Sequence, residues 1–123
     1  MSSGIIIEQR DIVLIPLPFT DLSGRKKRPV LVISRDEFNA LSEDIIVVQI
    51  TSKLTSGFQE YNVVIDNNDL EVCYGKPIIK SLVKPYRIFT IDKRKVTKKI
   101  GKLSEKKFEE VLEKLVKILL VSP

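Results

Sequence analysis

The stretch "DIVLIPLPFTDLSGRKKRPVLVIS", residues 11–34, contains two apolar runs separated by a loop that ends in four consecutive cations. The runs at 11–17 and 29–34 are short, β-branched and bounded by turn residues, which is typical of β-strands. Their apolar residues are nearly continuous, so we expect strands that are buried on both faces or closed into a barrel. Pro16 has no amide hydrogen, which predicts that the first strand lies at a sheet edge or bends there. This stretch predicts a buried sheet with a cationic rim.

The rest of the chain continues the β pattern and ends in a helix. Four further strands are predicted at 44–51, 61–66, 76–84 and 87–92, with a short helical turn within 35–44. Ser104 can cap a helix whose apolar residues recur at three- and four-residue steps. That stripe consists of Phe108, Val111, Leu112, Leu115, Ile118 and Leu119. We therefore expect a mainly β fold, α+β by content: a small barrel of six strands with a C-terminal amphipathic helix.

Length and composition fit one folded domain. The chain has 123 residues, of which 43% are hydrophobic, and we expect a single domain over residues 1–123. Cys73 is the sole cysteine, which leaves no internal disulfide and favours a reducing compartment. No run approaches the ~20 apolar residues of a membrane-spanning helix, and the N-terminus lacks a secretory apolar segment. These features predict a soluble, cytoplasmic protein with no membrane partner.

The charge is segregated along the chain. The net charge is +5, yet residues 36–71 hold 1 cation and 8 anions, whereas residues 76–107 hold 12 cations and 2 anions. The cationic loop before residue 29 adds a second basic stretch. If the two basic stretches converge, they form a patch that attracts a polyanion such as RNA or DNA. The alternative is that these lysines only solvate the surface.

The sequence excludes several kinds of chemistry. Histidine is absent, which rules out Ser-His-Asp and Cys-His arrangements and a two-histidine ribonuclease mechanism. Asp66 and Asp69 lack a third carboxylate at calcium-loop spacing, and the five glycines form no phosphate-binding loop. We therefore expect no metal and no other cofactor. Any catalysis must use arginine, lysine, hydroxyl or carboxylate side chains.

Two residues remain as candidates for catalysis. Arg28 precedes Pro29, which restricts its backbone to extended geometry, and a rigidly held guanidinium can bond two phosphate oxygens. Its alternative role is an ion pair with Asp11 or Asp21. The apolar run "IIVV" is followed by a cluster of hydroxyls and a cation, and Thr51 is the first hydroxyl to emerge, although threonine at a strand end is also ordinary β composition.

Three segments of the sequence occur in a characteristic order before the final helix: residues 11–34 quoted above, "ITSK", and "SLVKPYRIFTIDKRKVTKKIGKLS". Together they resemble the MazF/PemK toxins of bacterial type II toxin-antitoxin systems over residues 10–120. The resemblance implies an SH3-like β-barrel of the CcdB/MazF type that acts as a homodimer. It also implies a metal-independent endoribonuclease toxin that cuts single-stranded RNA and is neutralised by a cognate antitoxin protein.

Carried over by position, the resemblance assigns a catalytic role to Arg28 and Thr51, and places Ser81 near the RNA path. Some positions differ from the family pattern. Arg10 stands before Asp11 where the family usually has glycine. The loop Ser23-Gly24-Arg25 lacks a glutamate that many relatives carry, and Tyr86-Arg87 replaces an acidic residue followed by glutamine.

The chemistry that the resemblance implies needs no metal. The 2′-hydroxyl of RNA attacks the adjacent phosphorus and leaves a 2′,3′-cyclic phosphate and a 5′-hydroxyl. Arg28 is expected to stabilise the doubly charged phosphorane, and Thr51 to hydrogen-bond the phosphate or the 2′-hydroxyl. Phe19 or Tyr86 is expected to stack on a base. The further RNA-binding residues are expected to be Lys26, Lys27, Ser52, Lys53 and Arg87.

Two other function classes stay open at this point. A CcdB-like toxin directed at gyrase shares the barrel, but such proteins depend on a C-terminal tryptophan, and this chain has no tryptophan and ends in "LLVSP". The other class is a catalytically silent SH3-like module that binds RNA or protein. Cleavage of RNA that is lost in Arg28→Ala separates the enzyme from the module.

Overall fold

The computed structural model describes residues 4–16 and 26–120. Within these residues it contains one antiparallel sheet of seven strands and two α-helices. The strands are β1 (Asp11–Pro16), β2 (Lys27–Val32), β3 (Asp44–Thr51), β4 (Val63–Ile65), β5 (Leu70–Cys73), β6 (Ser81–Asp92) and β7 (Lys98–Leu103). The helices are α1 (Asp36–Leu41), at the predicted helical turn, and α2 (Glu105–Leu119). The order across the sheet is β4-β6-β3-β2-β1-β7-β5.

Seven strands replace the six that the sequence predicts. β6 joins two predicted runs into one strand, because Pro85 falls where its pairing with β3 shifts register rather than at a strand end. β5 and β7 were missed. β7 reads "KKIGKL", and its lysines hide the apolar signal even though Leu103 is fully buried.

β1 lies in the middle of the sheet, between β2 and β7, so the predicted edge position is wrong. Pro16 is the last residue of β1 and pairs only with Lys27 of β2. The pairing of β1 with β7 ends at Leu14, opposite Lys98. Pro16 therefore lies beyond the end of the ladder between β1 and β7, where no amide hydrogen is needed from it.

The predicted burial of both strand faces is confirmed. Val13 and Val30 pack in a cluster on one face of the sheet, while Ile12 and Leu31 pack in a second cluster on the other face. All four side chains are at most 1% exposed. Burying such a side chain contributes about 1.5–3 kcal/mol to the free energy of folding. These central strands therefore form a rigid support for the residues at their ends.

The sheet curls until its two outermost strands approach each other. Leu70 of β5 packs against the apolar cluster that contains Ile65 of β4, although β4 and β5 stand at opposite ends of the strand order. Phe108 and Val111 of α2 fill this cluster from one side. The result is a barrel-like sheet closed over by the C-terminal helix.

The predicted capping of α2 is confirmed. The Ser104 hydroxyl accepts a hydrogen bond from the Lys107 amide at 3.2 Å. The apolar stripe is buried at Phe108 and Val111, whereas Leu119 near the end of the helix is 64% exposed. No helix in the described part of the chain is long and apolar enough to cross a membrane.

Arg10 adopts a left-handed backbone with φ +79°, a conformation that favours glycine. Its surroundings hold it there. Its amide donates to the Val32 carbonyl at 2.9 Å, and its guanidinium donates to the Leu103 carbonyl at 2.8 Å and pairs with Glu71 at 3.1 Å. These contacts fix the turn that leads into β1.

Candidate active site

A cavity of about 670 Å³ opens where the ends of several strands meet the segment that follows β5. Its floor is apolar and its rim carries cations and hydroxyls. The lining residues that matter below are Arg28, Thr51, Ser52, Tyr74, Lys76, Ser81 and Lys98. The curl of the sheet is what brings residues so distant in sequence to one place.

Arg28 is the second residue of β2 and pairs with Ile15 of β1. The next residue is Pro29, which also lines the cavity, so the Arg28 backbone is held by the ladder and by the proline together. The alternative pairing with Asp11 is wrong, because the Asp11 carboxylate pairs with Lys99 at 3.0 Å. Asp21 lies outside the described residues.

Thr51 is the last residue of β3, as predicted. The pairing of β2 with β3 ends at Val30 opposite Gln49. Arg28 lies two residues before Val30, and Thr51 lies two residues after Gln49. Because side chains alternate along a strand, Arg28 and Thr51 lie on the same face at the same end of the strand pair. The Thr51 hydroxyl oxygen accepts a hydrogen bond from the Lys53 amide at 3.1 Å.

Ser52 and Ser81, also predicted as site residues, line the same cavity. Ser81 is the first residue of β6 and is buried, and its hydroxyl donates to the Ile79 carbonyl at 2.9 Å. Ser52 directly follows β3 and is exposed. The cavity therefore brings together four of the ten residues that the sequence singles out.

The other predicted residues lie apart from the cavity lining. Lys26, Lys27 and Lys53 are exposed at the ends of β2 and β3. The Arg87 guanidinium donates to the Gln49 side chain at 3.2 Å and lies 5.9 Å from the centre of the Phe89 ring. Phe19 lies outside the described residues. Tyr86, the other predicted stacking residue, packs edge-on against Phe58, with the two ring centres 5.5 Å apart.

Sequence reasoning missed Tyr74, Lys76 and Lys98. The first two lie in the connection between β5 and β6, where "YGKP" is a turn signal that marks no function by itself. Gly75 has φ +123°, which an L side chain rarely adopts. The Tyr74 amide donates to the Ile100 carbonyl at 3.1 Å, so this connection is anchored to β7.

The cavity is built for an anion with an apolar part. Arg28, Lys76 and Lys98 supply positive charge, and no carboxylate is found among the described residues that line it. The isoleucines of the floor offer apolar surface beside this charge. A nucleotide, with a charged phosphate and a flat base, matches that combination.

The described residues contain no group of three or more histidine, cysteine or carboxylate side chains that could hold a metal ion. The charged groups whose pKa values shift lie elsewhere. Burial raises the pKa of the Asp11 carboxyl, and the Glu8 amide and Lys99 partly offset this. Burial, and then the charges of Arg87 and Lys53, lower the pKa of Lys84.

Comparisons with known proteins agree with this fold. Residues 8–119 match the sequence model of a family described as PemK-like, MazF-like toxin of type II toxin-antitoxin system. A comparison with curated protein sequences gave no match.

Solved structures similar to this chain include a MazE-MazF complex from Deinococcus radiodurans, with 18% identity, a TM-score of 0.72 and coverage of 96% of this chain and 100% of that one. An endoribonuclease in complex with its cognate antitoxin from Mycobacterial species has 16% identity, a TM-score of 0.71 and coverage of 95% and 99%. The Mycobacterium tuberculosis toxin MazF-mt6 has 21% identity, a TM-score of 0.66 and coverage of 88% and 94%. The predicted MazF-type fold is confirmed.

Proposed function

The chain belongs to the family of PemK-like, MazF-like toxins of type II toxin-antitoxin systems, and from that premise we propose that it is a metal-independent endoribonuclease that cleaves single-stranded RNA. The observation that carries the proposal is the cavity that Arg28 shares with Thr51, Ser52 and Ser81. Similar structures from Mycobacterial species are described as endoribonucleases.

The proposed reaction is an internal transfer at phosphorus. The 2′-hydroxyl oxygen bonds to the adjacent phosphorus while the bond to the 5′-oxygen breaks. The 2′-hydroxyl passes its proton to solvent, and the leaving 5′-oxygen takes one from solvent. The products are a 2′,3′-cyclic phosphate and a 5′-hydroxyl, so no water is added to phosphorus and no metal is needed in this step.

The two catalytic residues act on different parts of the phosphorane. The role of the Arg28 guanidinium is to neutralise the two charges that build up on the non-bridging oxygens. Thr51 accepts from the Lys53 amide and keeps its own hydroxyl hydrogen to donate to a phosphate oxygen or the 2′-oxygen. Both groups are held by strand ends, which positions them before the substrate arrives.

Single-stranded RNA fits the cavity better than a duplex. A base must leave its stack to enter a concave site of about 670 Å³, and this is easy only in a single strand. Lys76 and Lys98 would hold the flanking phosphates, while the exposed cations Lys26, Lys27 and Lys53 extend the positive track.

The direct test is to incubate the purified protein with a mixed pool of single-stranded RNA, without metal and with a chelator, and to map the new ends. Fragments with 2′,3′-cyclic phosphate and 5′-hydroxyl ends are expected, and none with Arg28→Ala of unchanged circular dichroism. Intact RNA with the wild-type protein would overturn the proposal and favour a binding module. Cleavage that requires a divalent metal would overturn the metal-independent reaction.

We also propose a homodimer of this single domain and an antitoxin as partner. One similar structure is an endoribonuclease in complex with its cognate antitoxin, and another is a MazE-MazF complex. An acidic, extended segment of a partner would compete with RNA for the cations of the cavity. Light scattering should give twice the mass of 14.0 kDa, and an acidic antitoxin segment should block cleavage in a salt-dependent manner.

A further inference from the structure

A bulge in β6 contacts the connection between β3 and β4, residues 52–62. Val48 pairs with Ile88, but the next residue of β3, Gln49, pairs with Lys84. Residues 85–87 are therefore looped out of the ladder. The Lys84 ammonium donates to the Ser56 hydroxyl, so the bulge is attached to the connection at its base.

The centre of this contact is the Tyr86 hydroxyl. It accepts a hydrogen bond from the Phe58 amide at 2.9 Å and donates to the Asn62 side-chain oxygen at 2.9 Å. Gly57 has φ +71°, and a Cβ added there would overlap the Tyr86 hydroxyl. The connection thus closes around this oxygen so tightly that no side chain larger than hydrogen fits.

A continuous series of hydrogen bonds leads from Tyr86 to the strand end. The Asn62 amide nitrogen donates to the Ser56 carbonyl at 2.8 Å, and the Ser56 amide donates to the Lys53 carbonyl at 3.1 Å. The Lys53 amide in turn donates to the Thr51 hydroxyl oxygen at 3.1 Å. Every link joins described groups within ordinary hydrogen-bond distance.

We propose that Tyr86 is a positioning residue, whose hydroxyl fixes the 52–62 connection so that the Lys53 amide orients the Thr51 hydroxyl at the end of β3. The proposal rests on the proposed nuclease function for its consequence, since Tyr86 itself does not line the cavity. Without this anchor Thr51 still ends β3, but the group that orients its hydroxyl is free to move.

The first variant is Tyr86→Phe, which removes one oxygen and keeps the ring against Phe58. The maximal rate of RNA cleavage should fall about tenfold, while the KM for RNA changes by less than about twofold, because the cations of the cavity supply most of the binding to RNA phosphates. Tyr61→Phe is the matched control, since Tyr61 lies on the same connection and its hydroxyl makes no hydrogen bond to a described residue. That control should cleave at the wild-type rate.

A double-mutant cycle separates positioning from general damage. If Tyr86 acts through Thr51, Tyr86→Phe should cost little further activity when added to Thr51→Val. The proposal would be overturned if the rate losses of Tyr86→Phe and Thr51→Val multiply in the double variant. It would also be overturned if Tyr86→Phe cleaves RNA as fast as the wild type.

Amide hydrogen exchange gives a readout that does not depend on RNA. In Tyr86→Phe the Lys53 and Ser56 amides should exchange about tenfold faster, while the core amide of Val48 keeps its wild-type rate. Unchanged exchange at Lys53 overturns the positioning role. If the wild-type protein cleaves no RNA, the nuclease function fails, and exchange at Lys53 still decides whether Tyr86 orders the strand end.

Discussion

Arg28 of β2 and Thr51 of β3 lie on the same face of the sheet, each two residues beyond the last pair of their ladder, Val30 and Gln49. Both residues line one cavity. Neither residue lies on a loop. Each belongs to a strand whose central residues are buried in the core. A cation and a hydroxyl are thus carried by the ends of neighbouring strands, so their relative position is set by the sheet.

Replacing Arg28 tests whether the fork of its guanidinium matters. Arg28→Lys keeps the charge but loses the two parallel donors, so we expect cleavage to fall about 10²-fold, and Arg28→Ala to fall about 10³-fold. Initial rates on a defined RNA measure both. Lys27→Ala, beside Arg28 but outside the cavity lining, should change the rate less than about threefold. Equal losses at positions 27 and 28 would contradict a specific role for Arg28.

The Thr51 hydroxyl is tested without changing the shape of the side chain. Thr51→Val removes the oxygen that accepts from the Lys53 amide, and we expect cleavage to fall about 30-fold or more. Thr51→Ser restores a hydroxyl and should recover most of the rate. Failure of serine to rescue would mean that the methyl group of threonine, rather than its hydroxyl, is what the site needs.

The sequence predicted those features that depend on local pattern. The branched apolar runs predicted β1, β2 and β3. The bounds of β3 are those predicted, so Thr51 was correctly placed at a strand end. Ser104 and the helical period gave α2. Arg28 stood out because the following proline restricts its backbone, which is also a local effect.

What the sequence did not predict depends on the curl of the sheet. Lys98 enters the cavity because β7 pairs with β1, a contact between residues more than eighty positions apart. Tyr74 and Lys76 enter because β5 pairs with β7 and carries the following connection across the cavity. Such long-range pairing leaves no mark in the local residue pattern, and lysines in β7 hid the strand itself.

The left-handed backbone of Arg10 predicts an order of stabilities. Arg10→Ala and Arg10→Gly both lose the guanidinium contacts with the Leu103 carbonyl and Glu71, but only alanine keeps the strain of φ +79°. Since that strain costs about 1–2 kcal/mol for a residue with a Cβ, the glycine variant should be more stable than the alanine variant by about 1 kcal/mol. Unfolding in urea measures this difference. An alanine variant as stable as the glycine one would contradict the strained turn.

Salt dependence tests the cations of the cavity. Each phosphate contact to single-stranded RNA contributes about 0.7 to the slope of log affinity against log salt concentration. Lys76→Ala and Lys98→Ala should each reduce the slope by about this amount, and both together by about twice as much. Lys106→Ala is the control, because Lys106 is an exposed residue on α2 that does not line the cavity. A slope unchanged in the double variant would remove these lysines from the RNA path.

The buried carboxyl of Asp11 predicts a stability that depends on pH. Burial raises its pKa above the ordinary value of 3.8, and its Oδ1 atom has no hydrogen-bond partner among the described residues. The folded state therefore holds a proton more tightly than the unfolded state, so the stability that Asp11 contributes is greatest below about pH 4 and is lost as the pH rises through the folded pKa. The free energy of unfolding of the wild type minus that of Asp11→Asn should fall as pH rises from 3 to 7. A difference that rises over this range would show that the pair with Lys99 outweighs burial.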